Sequence, residues 1–282
     1  MKETCEFRVV EEFAPQLFGA EEGKRLGDSV RMVELETSDP RFGSIGRLQL
    51  KTRTQTNRSF FYGWILKRSY TASELRNASC FHLLFKSTFE PAGEECGTTY
   101  DESTACPRCC AGAKQTSPLL LDVKRIPKSK DICRTIAGEV VVSRRVAELF
   151  ARHGITGAEL RPVCSKGASS AESEEWFQLA VQGPEAEIST STRVGIDPFD
   201  DDEKGECRCS LGDLIGLNLL SEVTIKVTSR GSADIVRTRQ FLGTRRGLLR
   251  PEQLIIISPK LSKLIESEKL KGCGVEVAHL AK

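Results

Sequence analysis

Histidine is scarce in this sequence, and the familiar catalytic patterns are missing. His82, His153 and His279 are the three histidines, and no GxSxG, HExxH or Walker pattern occurs. Nucleophilic hydrolysis, zinc-peptidase chemistry and nucleotide hydrolysis therefore lack the local frameworks that announce them. Each histidine also has a plain structural reading: His82 lies inside an apolar run, His153 ends a predicted helix, and His279 is near the C-terminus. Long apolar runs are missing too. No stretch approaches the ~20 residues that span a bilayer, and Met1 is followed by Lys2, Glu3 and Thr4. The expectation is a cytoplasmic, non-enzymatic protein with no membrane partner. Nor does one charge dominate: 41 basic residues against 39 acidic leave a net +2, which gives no bulk field toward nucleic acid or a lipid surface.

What the chain does have is cysteine. A chain of 282 residues can bury a real core, so its eleven cysteines are not needed as staples for a miniature fold. In a reducing compartment a tight cluster of thiols points to a metal site rather than to a network of bridges. The cluster is "ECGTTYDESTACPRCC", residues 95–110. Within it Cys106-Pro-Arg-Cys109 has the CxxC spacing that lets two thiolates bind one tetrahedral zinc while backbone N–H groups point at the sulfurs. Cys96, followed by Gly97, supplies a third candidate on a turn. The fourth is expected from a second group, "CRCSLG", with Cys209 preferred to Cys207 because "CSLG" is a turn-forming setting, and with Cys110 as a substitute. The predicted ligand set is thus Cys96, Cys106, Cys109 and Cys209 around a structural Zn2+, a closed site with no position for a catalytic water. A redox pair is the weaker rival, since this CxxC does not sit between a strand and a helix start. Cys5, Cys80, Cys133, Cys164 and Cys273 lie in or beside apolar runs and read as small core residues.

Two distant segments resemble each other. "VVVSRRVAELFARHGITGAELRPV" (140–163) aligns without a gap on "IIISPKLSKLIESEKLKGCGVEVA" (255–278). Each opens on three β-branched residues and a serine, Ser143 or Ser258, able to cap a helix. Val146, Leu149, Phe150 and His153 follow at helical spacing, as do Leu261, Leu264 and Ile265, with Pro259 at a first helical position. Gly157 and Gly272 then mark turns into alternating strands. Upstream, "DICRT" (131–135) matches "DIVRT" (234–238), and a cysteine group precedes each. The expected fold is therefore α+β: a β-rich N-terminal region (1–95), then a zinc knuckle with a first α/β repeat (96–166), then a second repeat with the second cysteine group (167–282). Within the first region "EFRVV", "VRMVELE", "GRLQLKTRT", "FFYGWILKR" and "FHLLFKSTF" read as strands, and no long helix is expected.

Two charged stretches remain. Asp197, Asp200, Asp201, Asp202 and Glu203 lack the alternation of a calcium loop and read either as a solvated loop or, more sharply, as an anionic surface for a partner's basic cleft. Arg237, Arg239, Arg245, Arg246 and Arg250 form a basic stretch without aromatic interleaving, which leaves nucleic acid as the lesser expectation.

The "CPRCC" knuckle, the "CRCSLG" group and the "VVSRRVAELFARHGITGAELRPV" module together resemble a group of paralogous bacterial proteins, abundant in myxobacteria, that carry two CxxCG motifs. Cys110 stands where the first motif has glycine, and the second group is CxC followed by serine. Some members of that group act as immunity proteins to polymorphic toxins. The resemblance, which covers about residues 96–282, implies a stoichiometric binder of a cognate protein toxin. The alternative of a different class is a zinc-ribbon nucleic-acid-binding or regulatory protein.

Overall fold

The computed structural model describes residues 1–167, 171–200, 207–209, 212–215 and 218–281. The chain is α+β and strand-rich, and it divides into two compact units: Met1–Asn77 with Gly195–Asp201, and Ala78–Val194 with Asp202–Lys282. No helix among the described residues is long and apolar enough to cross a membrane.

The first unit is built from β1 (Lys2–Val10), β2 (Lys24–Arg25), β3 (Val30–Glu36), α1 (Phe42–Thr56), β4 (Phe61–Ser69) and α2 (Ala72–Asn77). Its strands form an antiparallel sheet in the order β2-β3-β1-β4. Cys5, Phe7 and Val9 alternate along β1 and are fully buried, the period-two signature of a strand with one face on a core. Helix α1 corrects the sequence reading, which took "GRLQLKTRT" as a strand. The residues that α1 buries are Ile45, Gln49 and Thr52, while Leu50 is 70 % exposed. A helix whose inward stripe is mostly polar hides its period from a hydrophobicity reading. Gln49 is satisfied there, its Oε1 accepting from the backbone N–H groups of Phe60 (2.7 Å) and Phe61 (3.3 Å).

The second unit contains β5 (Cys80–Phe85), β6 (Thr88–Phe89), β7 (Tyr100–Asp101), β8 (Lys114–Gln115), β9 (Leu120–Leu121), β10 (Ile132–Thr135), β11 (Val140–Ser143), α3 (Arg144–His153), β12 (Ala158–Ser165) and β13 (Glu172–Val181). It continues with β14 (Glu185–Ala186), β15 (Val194–Gly195), of which Val194 belongs to this unit and Gly195 to the first, β16 (Asn218–Leu219), β17 (Thr224–Lys226), α4 (Val227–Arg230), β18 (Ile235–Leu242), β19 (Glu252–Ile257), α5 (Pro259–Ser267) and β20 (Cys273–Ala281). Two six-stranded sheets result, ordered β6-β10-β11-β13-β12-β9 and β14-β18-β19-β5-β20-β17. In each, a short parallel strand sits at either edge and the inner pairs are antiparallel. The fourth place is filled by β13 in one sheet and, in the other, by β5 from far upstream. This is why the first unit ends at Asn77 rather than near residue 95: "FHLLF" pairs with β19 and β20.

Close approaches tie the strand ends together. Gly157 and Gly272 both have φ of 96°, and a Cβ on either would lie 2.0 Å from a carbonyl oxygen, that of Ile235 or Ile132 respectively. Only glycine fits such a backbone contact. Asp131 accepts from the Lys271 backbone N–H at 2.8 Å and Asp234 from the Thr156 backbone N–H at 3.1 Å. Ser258 caps α5 by accepting from Leu261 N–H (3.2 Å), whereas the Ser143 side chain does not cap α3. Leu149 and Leu264 are both buried.

Candidate metal centre

Three of the cysteines converge. The Sγ atoms of Cys106, Cys109 and Cys209 all lie within 4.8 Å of one another, and all three residues are buried. Local backbone geometry brings the first two together: Cys110 N–H donates to Cys106 O (2.7 Å) and Cys106 N–H to Ala111 O (2.8 Å), closing a knuckle. Cys110 takes φ of 61° there, the left-handed conformation that glycine supplies more cheaply. The knuckle lies in the loop between β7 and β8, which pair antiparallel.

Cys209 arrives on a second tight turn. Gly212 N–H donates to Cys209 O (3.0 Å), Cys209 N–H to Asp213 O (2.9 Å) and Ile215 N–H to Cys207 O (3.0 Å). Leu214 N–H on Phe241 O (2.8 Å) and Arg245 N–H on Cys109 O (3.1 Å) bind both turns to the end of β18 and the loop beyond it. Ala111, Ile215 and Phe241 pack around the thiols.

Electrostatics prepares the sulfurs unequally. Hydrogen bonds from the backbone N–H groups, that of Cys109 foremost and that of Arg108 after it, hold the Cys106 thiol below the usual thiol range against burial. Burial pushes Cys109 up to about 12. Buried thiols that face one another at this range, with N–H groups aimed at a sulfur, make a donor set suited to a soft or borderline metal ion.

The third predicted ligand stands apart from this group. Cys96 is not among the converging thiols: it ends a 3-10 turn (Glu94–Cys96), and its sulfur has the Asp122 backbone N–H for a partner. That turn is pinned to β9 through Thr98, whose Oγ1 donates to Leu120 O (3.3 Å) and accepts from Leu120 N–H (2.9 Å). A cysteine before glycine marks a turn, but nothing in the pair says which way the turn faces. Cys207 packs in the core of the second sheet with Cys80, Ala186 and Leu214, and Cys110 is partly exposed.

A second cluster, unread in the sequence, braces the knuckle. Arg245 and Arg250 each bridge Glu94 and Glu102, with Arg250 at 2.8 Å from Glu94 and 3.0 Å from Glu102. The Arg250 guanidinium lies 4.1 Å from the centroid of the Tyr100 ring. Tyr100 OH donates to Glu139 Oε1 (2.7 Å), and Glu139 also accepts from the Thr135 hydroxyl. Burial first, then the Glu139 charge, raises the Tyr100 phenol well above its ordinary pKa. The basic stretch is largely neutralised, since Arg237 pairs with Glu185 (3.0 Å) and Arg239 with Glu187 (3.5 Å).

The acidic loop is divided. Asp201, Asp202 and Glu203 lie outside the described residues. Asp197 Oδ1 accepts from Phe199 N–H (3.0 Å) and Asp200 Oδ2 from Ile196 N–H (2.8 Å), so these two carboxylates shape their own turn. That turn presents Phe199 to the core of the first unit, against Phe7, Phe42 and Phe61. A Cβ on Gly46 of α1 would lie 2.7 Å from the Phe199 ring. No family model and no curated protein matches the chain.

Proposed function

We propose that the protein is a non-catalytic, cytoplasmic zinc-binding protein that acts as a stoichiometric binder, an immunity protein that neutralises a cognate bacterial toxin. The observation that carries the metal reading is the convergence of Cys106, Cys109 and Cys209, buried, from two turns far apart in the chain. Zinc bound there supplies no catalysis but a crosslink. The chain's own groups do the rest: N–H groups of the knuckle stabilise the thiolates, and Ala111, Ile215 and Phe241 keep water away. Binding energy at such a site is folding energy.

The same reading treats the two six-stranded sheets as copies of one strand-helix-strand unit, joined at the cysteine centre. Supporting it are the matched pairing directions, the paired close approaches at Gly157 and Gly272, and the equivalent bonds of Asp131 and Asp234. The immunity role rests on the resemblance of the cysteine groups and the helix module to the double-CxxCG proteins. The nucleic-acid alternative is disfavoured by the ion pairs that occupy Arg237, Arg239, Arg245 and Arg250.

Elemental analysis of protein purified without chelators tests the metal reading: about one zinc per chain is expected, and none would refute it. For the partner, a toxin captured from the host should be neutralised in proportion to the molar ratio, with a sharp end point. Catalytic, sub-stoichiometric neutralisation would overturn the binder reading.

A further inference from the structure

The sheet of the first unit has two edges of opposite character. Strand β2 closes one side with two residues, Lys24 and Arg25, both exposed. A short, charged edge of this kind discourages a further strand from adding. On the other side β4 runs for nine residues, Phe61–Ser69, and among the described residues it pairs with β1 alone. Its first six residues, "FYGWIL", contain no charge and no proline. A long apolar edge is a template for another strand.

The side chains along β4 agree with its position. Tyr62 is 66 % exposed and Ile65 49 % exposed. Trp64 and Leu66 stand opposite Phe7 and Cys5 of β1 and pack on the core of this unit, yet both are only half-buried. The core thus runs out to this edge and stays open there.

Strand β4 is also complementary to itself. Two copies laid antiparallel about Ile65, the midpoint of Phe61–Ser69, overlap along the whole strand. Ile65 then faces Ile65, and Trp64 faces Leu66. Lys67 and Arg68 of one copy fall opposite Gly63 and Tyr62 of the other, so no like charges meet. Apolar and aromatic cross-strand pairs stabilise a sheet, whereas like charges directly opposite destabilise it. Both cations are already paired within their own sheet, Lys67 with Glu6 (2.8 Å) and Glu34 (3.1 Å), and Arg68 with Glu3 (2.6 Å).

We propose that the protein dimerises through β4, by antiparallel pairing with a second copy of this chain centred on Ile65. The two-fold contact joins the two four-stranded sheets into one continuous sheet and completes the burial of Trp64 and Leu66. It is independent of the metal reading, because β4 belongs to the first unit and the converging cysteines to the second.

Sedimentation velocity of the full-length wild type across a concentration series should show a reversible monomer–dimer equilibrium. Ile65→Lys sets like charges opposite each other across the two-fold axis while lying beside Glu6 of its own sheet. It should fold, as circular dichroism can confirm, and raise the dimer dissociation constant roughly tenfold or more. Leu50→Lys, at an exposed position of α1, is the control and should leave the dimer unchanged. Ile65→Cys, oxidised with copper phenanthroline, should crosslink copy to copy at residue 65, located by peptide mass spectrometry. Residues directly opposite in an antiparallel pair have Cα atoms about 4.5–5.5 Å apart, within reach of a disulfide. A wild type that is monomeric at its highest soluble concentration would overturn the proposal, as would a dimer that Ile65→Lys does not weaken and Ile65→Cys does not crosslink. A monomeric wild type whose capture of a toxin is lost in Ile65→Lys would also refute self-pairing and assign the edge to another chain.

Discussion

At the scale of single residues the cysteines separate by environment. Cys106, Cys109 and Cys209 face one another, whereas Cys5 and Cys133 are enclosed in apolar cores, where burial pushes each thiol up to about 12. Almost no thiolate exists at such a site near neutral pH, so alkylation at pH 8 followed by peptide mass spectrometry should leave Cys5 and Cys133 unmodified in the native protein. On the proposed metal reading, Cys106→Ser should release the ion and lower the melting temperature, while Cys5→Ser should retain full metal content. The CxxC pair was legible because its geometry is local: both ligands sit on one knuckle, and spacing alone defines it. Cys209 was legible through its turn. Cys96 does not join the three converging thiols, because its turn's direction depends on β9, which the sequence around Cys96 does not contain.

At the scale of elements the two amphipathic helices were readable and α1 was not. Helices α3 and α5 carry apolar stripes at Val146, Leu149 and Phe150 and at Leu261, Leu264 and Ile265, all buried. Leu149→Ala and Leu264→Ala should each cost about 2–5 kcal/mol, measured by denaturant unfolding. Helix α1 turns Gln49 and Thr52 inward, so its period was masked by polarity. Asp234 shows how a helix start is held. Burial pushes its carboxyl up, but the Ser258 hydroxyl, the Thr156 N–H and Lys260 together bring it below its ordinary 3.8. A carboxylate depressed in the folded state adds stability that is present above its unfolded pKa and is lost as pH falls through the folded value. Asp234→Asn should therefore destabilise the protein at pH 7, and the gap to wild type should close as the pH is lowered below about 4 in unfolding titrations.

At the scale of the whole molecule, the strands were visible but their partners were not. An apolar run such as "FHLLF" announces a strand and a buried face; it carries no signal that its neighbours are residues 252–257 and 273–281. A cut between β12 and β13 leaves each six-stranded sheet without one strand, β13 in one and β5 in the other. Fragments 1–167 and 171–282 should therefore fail to fold when made singly and should form a soluble complex when made together, read by gel filtration and circular dichroism. A stable fold from either fragment alone would contradict the pairing.

The position of β5 also sets the order in which the molecule can be made. On the ribosome β5 emerges early, yet both of its neighbours, β19 and β20, are translated long afterwards. The sheet built on β10 to β13 can close while synthesis continues, whereas β5 has to be kept from premature pairing until the other side of its slot exists. Non-local closure of this kind is slow and leaves apolar edges open in the meantime. Half of the second unit thus cannot close until β19 and β20 have been made, and its nascent chain is a natural client for chaperones.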